Sequence, residues 1–153
     1  TYNAVISACA KDEKPERAME LLQGMRQQGL LPNAITYNAA ISAFDNGKAP
    51  DLAVELLKRM RQQGLTPDVI TYSAVISVSE KGIKPELALA LLKEMRQQSL
   101  VPDVITYIAA LRACEKGKRP DKALNLLSDM RHYTMRRSVR ARTWHPVDLE
   151  YRD

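Results

Sequence analysis

The dipeptide Thr-Tyr returns every 35 residues, at Thr1-Tyr2, Thr36-Tyr37, Thr71-Tyr72 and Thr106-Tyr107, and most of the intervening sequence returns with it. Residues 34–68 read AITYNAAISAFDNGKAPDLAVELLKRMRQQGLTPD and residues 69–103 read VITYSAVISVSEKGIKPELALALLKEMRQQSLVPD, with about 20 of the 35 positions identical. A unit of this size cannot bury an apolar face alone. Copies must stack on one another and share a continuous core, which makes the chain an elongated array rather than a globule around one centre. The period divides the 153 residues into a first unit over 1–33, two residues short at its start, full units over 34–68 and 69–103, a fourth over 104–138 whose end is degenerate, and a non-repeat stretch over 139–153.

Each unit reads as two helices. In the second, Tyr37, Ala40, Ile41 and Phe44 follow the i, i+3, i+4, i+7 spacing of one helix face and predict a first helix of about three turns. Gly47 follows, repeated as Gly82 and Gly117 with Asp12 in the same column. A left-handed glycine closing the helix is the expectation there. Pro50 and its equivalents Pro15, Pro85 and Pro120, each followed by Glu or Asp, suit the first turn of a second helix, where proline has no bond to lose and a carboxylate complements the dipole. Ala53, Leu56, Leu57 and Met60 form its apolar stripe, Gly29 and Gly64 its stop, and Pro32, Pro67 and Pro102 the joint to the next unit. The expected fold is all-α, a solenoid of antiparallel helix-turn-helix repeats, with first helices along one side and second helices along the other.

Composition sets outer limits. No apolar run approaches the ~20 residues needed to cross a bilayer, so no membrane association is expected. Cys9 and Cys114 occupy one repeat column three periods apart, too distant for a disulfide, and are expected as buried thiols. His132 and His145 lack Cys or His partners at zinc-site spacing, so no metal and no cofactor is expected. No nucleophile with a base, carboxylate cluster or phosphate loop marks a catalytic centre or a small-molecule substrate site. The net charge of +5 is uneven: residues 131–153 carry 6 basic and 3 acidic groups, against 17 and 15 in residues 1–130. The excess lies at the end of the chain, where His132, Tyr133 and Thr134 replace the Gln-Gln-Gly of earlier units and Arg131, Arg136, Arg137, Arg140 and Arg142 precede Trp144.

The Val/Ile-Thr-Tyr-Asn start, the Ala-Leu-Leu-Met second helix, the Pro-Asp ending and the period of 35 closely resemble the pentatricopeptide repeat in its plain form, over nearly all of residues 1–138. That resemblance implies a right-handed α-solenoid that binds single-stranded RNA in mitochondria or chloroplasts, one base per repeat. It also implies which residues read. The residue after Thr-Tyr acts with the residue after the closing proline, giving Asn3 with Asn33, Asn38 with Asp68, Ser73 with Asp103 and, in the fourth unit, Ile108 with Ser138. An Asn amide both donates and accepts, whereas a carboxylate only accepts. By the family's pattern the first pair suits C or U, the second U and the third G, while Ile108 is silent. The implied core is 5'-(C/U)-U-G-3'.

Ile35, Ile70 and Ile105, before each Thr, would by the same analogy sandwich bases between adjacent repeats, and Lys11, Lys81 and Lys116 would meet phosphates, with Asn46 the exception in their column. Tyr2, Tyr37, Tyr72 and Tyr107 share the face of the core columns and are expected to pack rather than stack on bases. Each assignment has a plainer reading beside it: Asp68 and Asp103 as helix caps, the isoleucines as core, the lysines as partners of the helix dipole. The competing function is a peptide-binding scaffold of the tetratricopeptide type, using the same surface for a protein partner. Three readable bases cannot address one transcript, so the expected whole is a longer array of which this chain is a part.

Overall fold

The structure is a computed structural model that describes residues 1–12, 14–45 and 49–142, with side chains as far as residue 132. The expected roles of Asn46 and Gly47, and that of Trp144, lie outside the described residues. Among these there are eight α-helices and no strand: α1 Tyr2–Lys11, α2 Pro15–Gln27, α3 Ala34–Ala43, α4 Pro50–Gln62, α5 Val69–Lys81, α6 Pro85–Gln97, α7 Val104–Lys116 and α8 Pro120–Arg142. None is long and apolar enough to cross a membrane. The odd-numbered helices pack serially on one another, and each even-numbered helix packs on the first helix of its own unit, while α2, α4 and α6 also pack on the first helix of the next. The result is a two-layered solenoid of antiparallel helix pairs.

The core is the set of columns that the period aligns. Tyr37, Ala40, Ile41 and Phe44 of α3 are buried, as are Tyr72, Val75 and Ile76 of α5 and Tyr107, Ala110 and Cys114 of α7. From the other layer come Ala53, Leu56, Leu57 and Met60 of α4, and Ala88, Leu91, Leu92 and Met95 of α6. Cys9 and Cys114 are buried free thiols. Proline stands at the first turn of α2, α4 and α6 with an acid beside it.

Second helices close as their glycines predict. Gly29 (φ 74°) and Gly64 (φ 77°) are left-handed, and the next residue's N–H returns to the carbonyl five residues back, Leu30 to Met25 (3.0 Å) and Leu65 to Met60 (3.1 Å). Ser99 (φ 61°) takes the same conformation without the glycine advantage. First helices close differently from expectation. Gly82 and Gly117 keep φ near −80°, and the left-handed residues are their successors, Ile83 (φ 54°) and Lys118 (φ 53°). The glycines are there for space. A Cβ on Gly82 would lie 2.7 Å from Cγ of Pro50, and one on Gly117 2.6 Å from Cγ of Pro85, the first-turn prolines of the preceding unit. Asp12 is tolerated in this column because the first unit has no preceding proline against it.

Helix α8 breaks the pattern. No residue stands ready for a left-handed closure where His132, Tyr133 and Thr134 replace Gln-Gln-Gly, and the helix runs 23 residues to Arg142 instead of the 13 of α2, α4 and α6. It crosses residue 138 without a break, so Ser138 lies within a helix rather than at the joint that Asn33, Asp68 and Asp103 occupy.

Candidate nucleic-acid interface

At every joint between units, three polar side chains converge. Asn33, Asp68 and Asp103 are the N-caps of α3, α5 and α7, each accepting from the backbone N–H of the residue three on: Thr36 (3.0 Å), Thr71 (2.9 Å) and Thr106 (2.8 Å). The Thr hydroxyl answers each cap, with Oγ1 at 2.9, 2.9 and 2.7 Å from its Oδ1. In the first two joints the cap's own N–H donates back to Oγ1, completing a capping box. The same hydroxyl reaches into the preceding unit. Thr36 Oγ1 is bonded to Asn3 Oδ1 (2.7 Å), Thr71 Oγ1 to Asn38 Oδ1 (2.7 Å), and Thr106 Oγ1 to Ser73 Oγ (2.5 Å).

The pairs named from sequence are therefore brought together, Asn3 with Asn33, Asn38 with Asp68 and Ser73 with Asp103, each through one threonine. The threonines themselves are buried to 0 or 1% exposure, whereas the residues they join are half-buried or exposed. Their role was missed in the sequence reading, although N-cap-x-x-Thr is a capping-box spacing and pointed to it. In the fourth unit nothing equivalent forms. Ile108 has no polar atom to offer, Ser138 lies within α8, and the position where a fifth threonine would stand is Ala141.

The caps keep both acids charged. Burial pushes the Asp68 carboxyl up, but hydrogen bonds from the Thr71 N–H and hydroxyl, from the Asn38 side chain and from its own N–H outweigh that and hold it below the usual carboxylate range. Asp103 is also lowered, chiefly by the Thr106 hydroxyl and then the Thr106 N–H, against a smaller opposing effect of burial.

Beside each triad an apolar side chain faces solvent: Ile35 is 66% exposed, Ile70 64% and Ile105 74%. None of the three is core. The tyrosines are, with Tyr37, Tyr72 and Tyr107 at 2% exposure or less and Tyr2, at the open end of the stack, half-buried. The lysine column carries partners that the sequence reading did not foresee. Lys81 Nζ lies 2.5 Å from Asp45 Oδ2 and Lys116 Nζ 2.9 Å from Glu80 Oε1, both acids belonging to the first helix of the preceding unit. Lys11 is exposed.

On the outer layer a second recurring device ties the units. Arg61 donates to the Tyr72 hydroxyl (2.6 Å), sits 5.8 Å from its ring centroid and pairs with Glu94. One unit on, Arg96 donates to the Tyr107 hydroxyl (2.5 Å), sits 5.5 Å from that ring and pairs with Asp129 at 3.2 Å. Among the described residues no group of three or more His, Cys, Asp or Glu side chains is placed to hold a metal.

A solenoid of eight helices in antiparallel pairs, with one capped and threonine-bridged joint per period, defines a helical repeat protein. Comparison with protein families identifies which: residues 1–46 match the PPR repeat family and residues 46–140 the pentacotripeptide-repeat region of PRORP. The chain belongs to the pentatricopeptide repeat family. Among solved structures it is similar to the maize pentatricopeptide repeat protein PPR10 in complex with an 18-nt psaJ RNA element, at 30% identity and TM-score 0.76 over 86% of this chain and 19% of that one. It also resembles in fold the PPR domain of Arabidopsis thaliana protein-only RNase P 1 in complex with tRNA, at 19% identity and TM-score 0.73 over 87% of this chain and 70% of that one. The chain thus spans about a fifth of the length of the maize protein. A comparison with curated protein sequences finds no match.

Proposed function

We propose that this array binds single-stranded RNA and reads one base at each of its three bridged joints. The observation that carries the proposal is the threonine bridge, which aims the outer atoms of two side chains from adjacent units at one point. A hydroxyl holds one proton, and what it leaves unused on its neighbours sets the base. At the first joint both Asn3 and Asn33 turn their carbonyl oxygens to Thr36, leaving NH2 donors for the acceptor edge of C or U. At the second, Asn38 likewise keeps donor capacity while Asp68 accepts, a donor-acceptor pair that matches a carbonyl and the imino N–H of U. At the third, the Thr106 proton goes to the stronger acceptor, Asp103, so Ser73 donates to Thr106. Ser73 and Asp103 are then acceptors only, which suits the N–H-rich edge of G. The core remains 5'-(C/U)-U-G-3'.

The exposed Ile35, Ile70 and Ile105 add affinity without selectivity by packing on base faces. Lys11, Lys81 and Lys116 meet phosphates, Lys81 and Lys116 with their charge shared with Asp45 and Glu80. The reading is of a binding protein without catalysis, acting in mitochondria or chloroplasts as part of a longer array. It is supported by the family and by the RNA that the maize protein holds at 30% identity. Direct binding tests it: at moderate salt, RNA containing 5'-CUG-3' should bind more tightly than its complement, by about 1–3 kcal/mol per correctly stacked and matched base before ordering costs. Equal binding of the two, or tighter binding of a peptide that RNA does not displace, would overturn it.

A further inference from the structure

The outer-layer device that ties the later units is broken at the first junction. Arg26 stands in the column of Arg61 and Arg96, and Tyr37 in that of Tyr72 and Tyr107, but where Glu94 and Asp129 supply a carboxylate the second unit has Arg59. Two guanidinium groups replace an ion pair. The Tyr37 hydroxyl, with no arginine donating to it, donates to Gln63 Oε1 (2.7 Å), and Arg59 is held by Glu55 one turn back on its own helix. Between them lies a small cavity of about 50 Å³, lined by Gln23, Arg26, Tyr37 and Arg59 over the apolar floor of Leu22 and Leu56. By that measure one water needs roughly 10–15 Å³, so the space holds a small polyatomic ion and nothing of nucleotide size. Both guanidinium groups act on the buried Tyr37 hydroxyl, opposing the upward push of burial on its acidity, which places both charges at the cavity.

We infer that the junction between the first two repeats binds a phosphate-class oxyanion between Arg26 and Arg59, the ion taking the place of the carboxylate that Glu94 and Asp129 supply at the later junctions. The site stands apart from base reading and does not depend on it. Guanidinium groups are matched to such an ion, since each presents a planar fork of donors to its oxygens. The occupant is free inorganic phosphate or a phosphate of an RNA backbone.

The test is thermal unfolding of the whole chain in chloride against inorganic phosphate at constant ionic strength, with phosphorus-31 line broadening as the direct readout of binding. At ten times the dissociation constant, phosphate should raise the wild-type midpoint by about 3–6 °C. Arg59→Glu supplies the missing carboxylate: it should melt higher than the wild type without phosphate and respond to phosphate at most weakly. Arg59→Gln, which keeps the size and removes the charge, should bind at least about five-fold more weakly, and gives the same answer should the glutamate variant fail to fold. A wild type that neither shifts nor broadens the phosphate line, or variants that respond as the wild type does, would overturn the inference. If a bound single-stranded RNA abolishes the phosphate response, the site holds an RNA phosphate; if the response persists, it holds the free ion.

Discussion

Replacing Thr71 with Val removes one hydroxyl and little else, because the two side chains have nearly the same shape and Thr71 is wholly buried. That hydroxyl bridges Asn38 (2.7 Å) and Asp68 (2.9 Å) and accepts from the Asp68 N–H (3.2 Å). A hydrogen bond to a charged group contributes about 1.5–3 kcal/mol and a neutral one about 1 kcal/mol. Against this, Asp68 is exposed and water recovers part of the loss, while the added methyl contributes about 0.8 kcal/mol of apolar burial. The expected net loss is about 1–2 kcal/mol at neutral pH, read from urea denaturation. The pH dependence is the sharper half. Asp68 is held below its unfolded value, so its contribution is present above the unfolded pKa of about 3.9 and is lost as pH falls through the lower, folded value. Thr71→Val should raise the Asp68 pKa, followed by carboxyl NMR, and the stability gap between the two proteins should narrow on acidification. A variant within about 0.3 kcal/mol of wild type whose Asp68 titrates unchanged would refute the bridge.

Other expectations follow from single contacts. Gly82→Ala should cost about 1–3 kcal/mol in chemical denaturation because its Cβ meets the Pro50 ring, whereas Gly24→Ala, with open space around it inside α2, should stabilise by up to about 1 kcal/mol; equal effects would remove the spacing argument. Glu80→Gln frees Lys116 and Asp45→Asn frees Lys81, so under the RNA reading each should tighten binding at low salt and steepen the salt dependence by up to about 0.7 in log-log slope. An unchanged slope would take those lysines out of phosphate contact.

The contrast between what the chain disclosed as text and what needed coordinates follows from one distinction. Anything set within a unit was legible: the two helices, the stripe of Ala53, Leu56, Leu57 and Met60, the left-handed Gly29 and Gly64, and the buried tyrosines. Contacts between units were not, because the period aligns columns without telling which column meets which. The structure supplies those offsets: 33 residues for Asn38 with Thr71 and for Arg61 with Glu94, and 36 for Asp45 with Lys81. Gly82 shows the consequence. Read within its unit it is a helix stop; read across units it is the gap that admits Pro50, and the stop falls on Ile83. The reading pairs straddle the two cases: the family resemblance placed them, while the buried threonine that joins them belongs to the next unit and emerged only from the stack.

The claim that each joint reads one base through two side chains is tested most directly at the third, by selecting RNA ligands with the wild type and with Ser73→Asn. Asparagine turns an acceptor-only pair into the donor-acceptor pair of the second joint, so the base selected there should change from G to U while the two bases before it stay as they were. Selection of the same base by both proteins at that position, with RNA binding intact, would contradict the assignment of Ser73 and Asp103 as a reading pair.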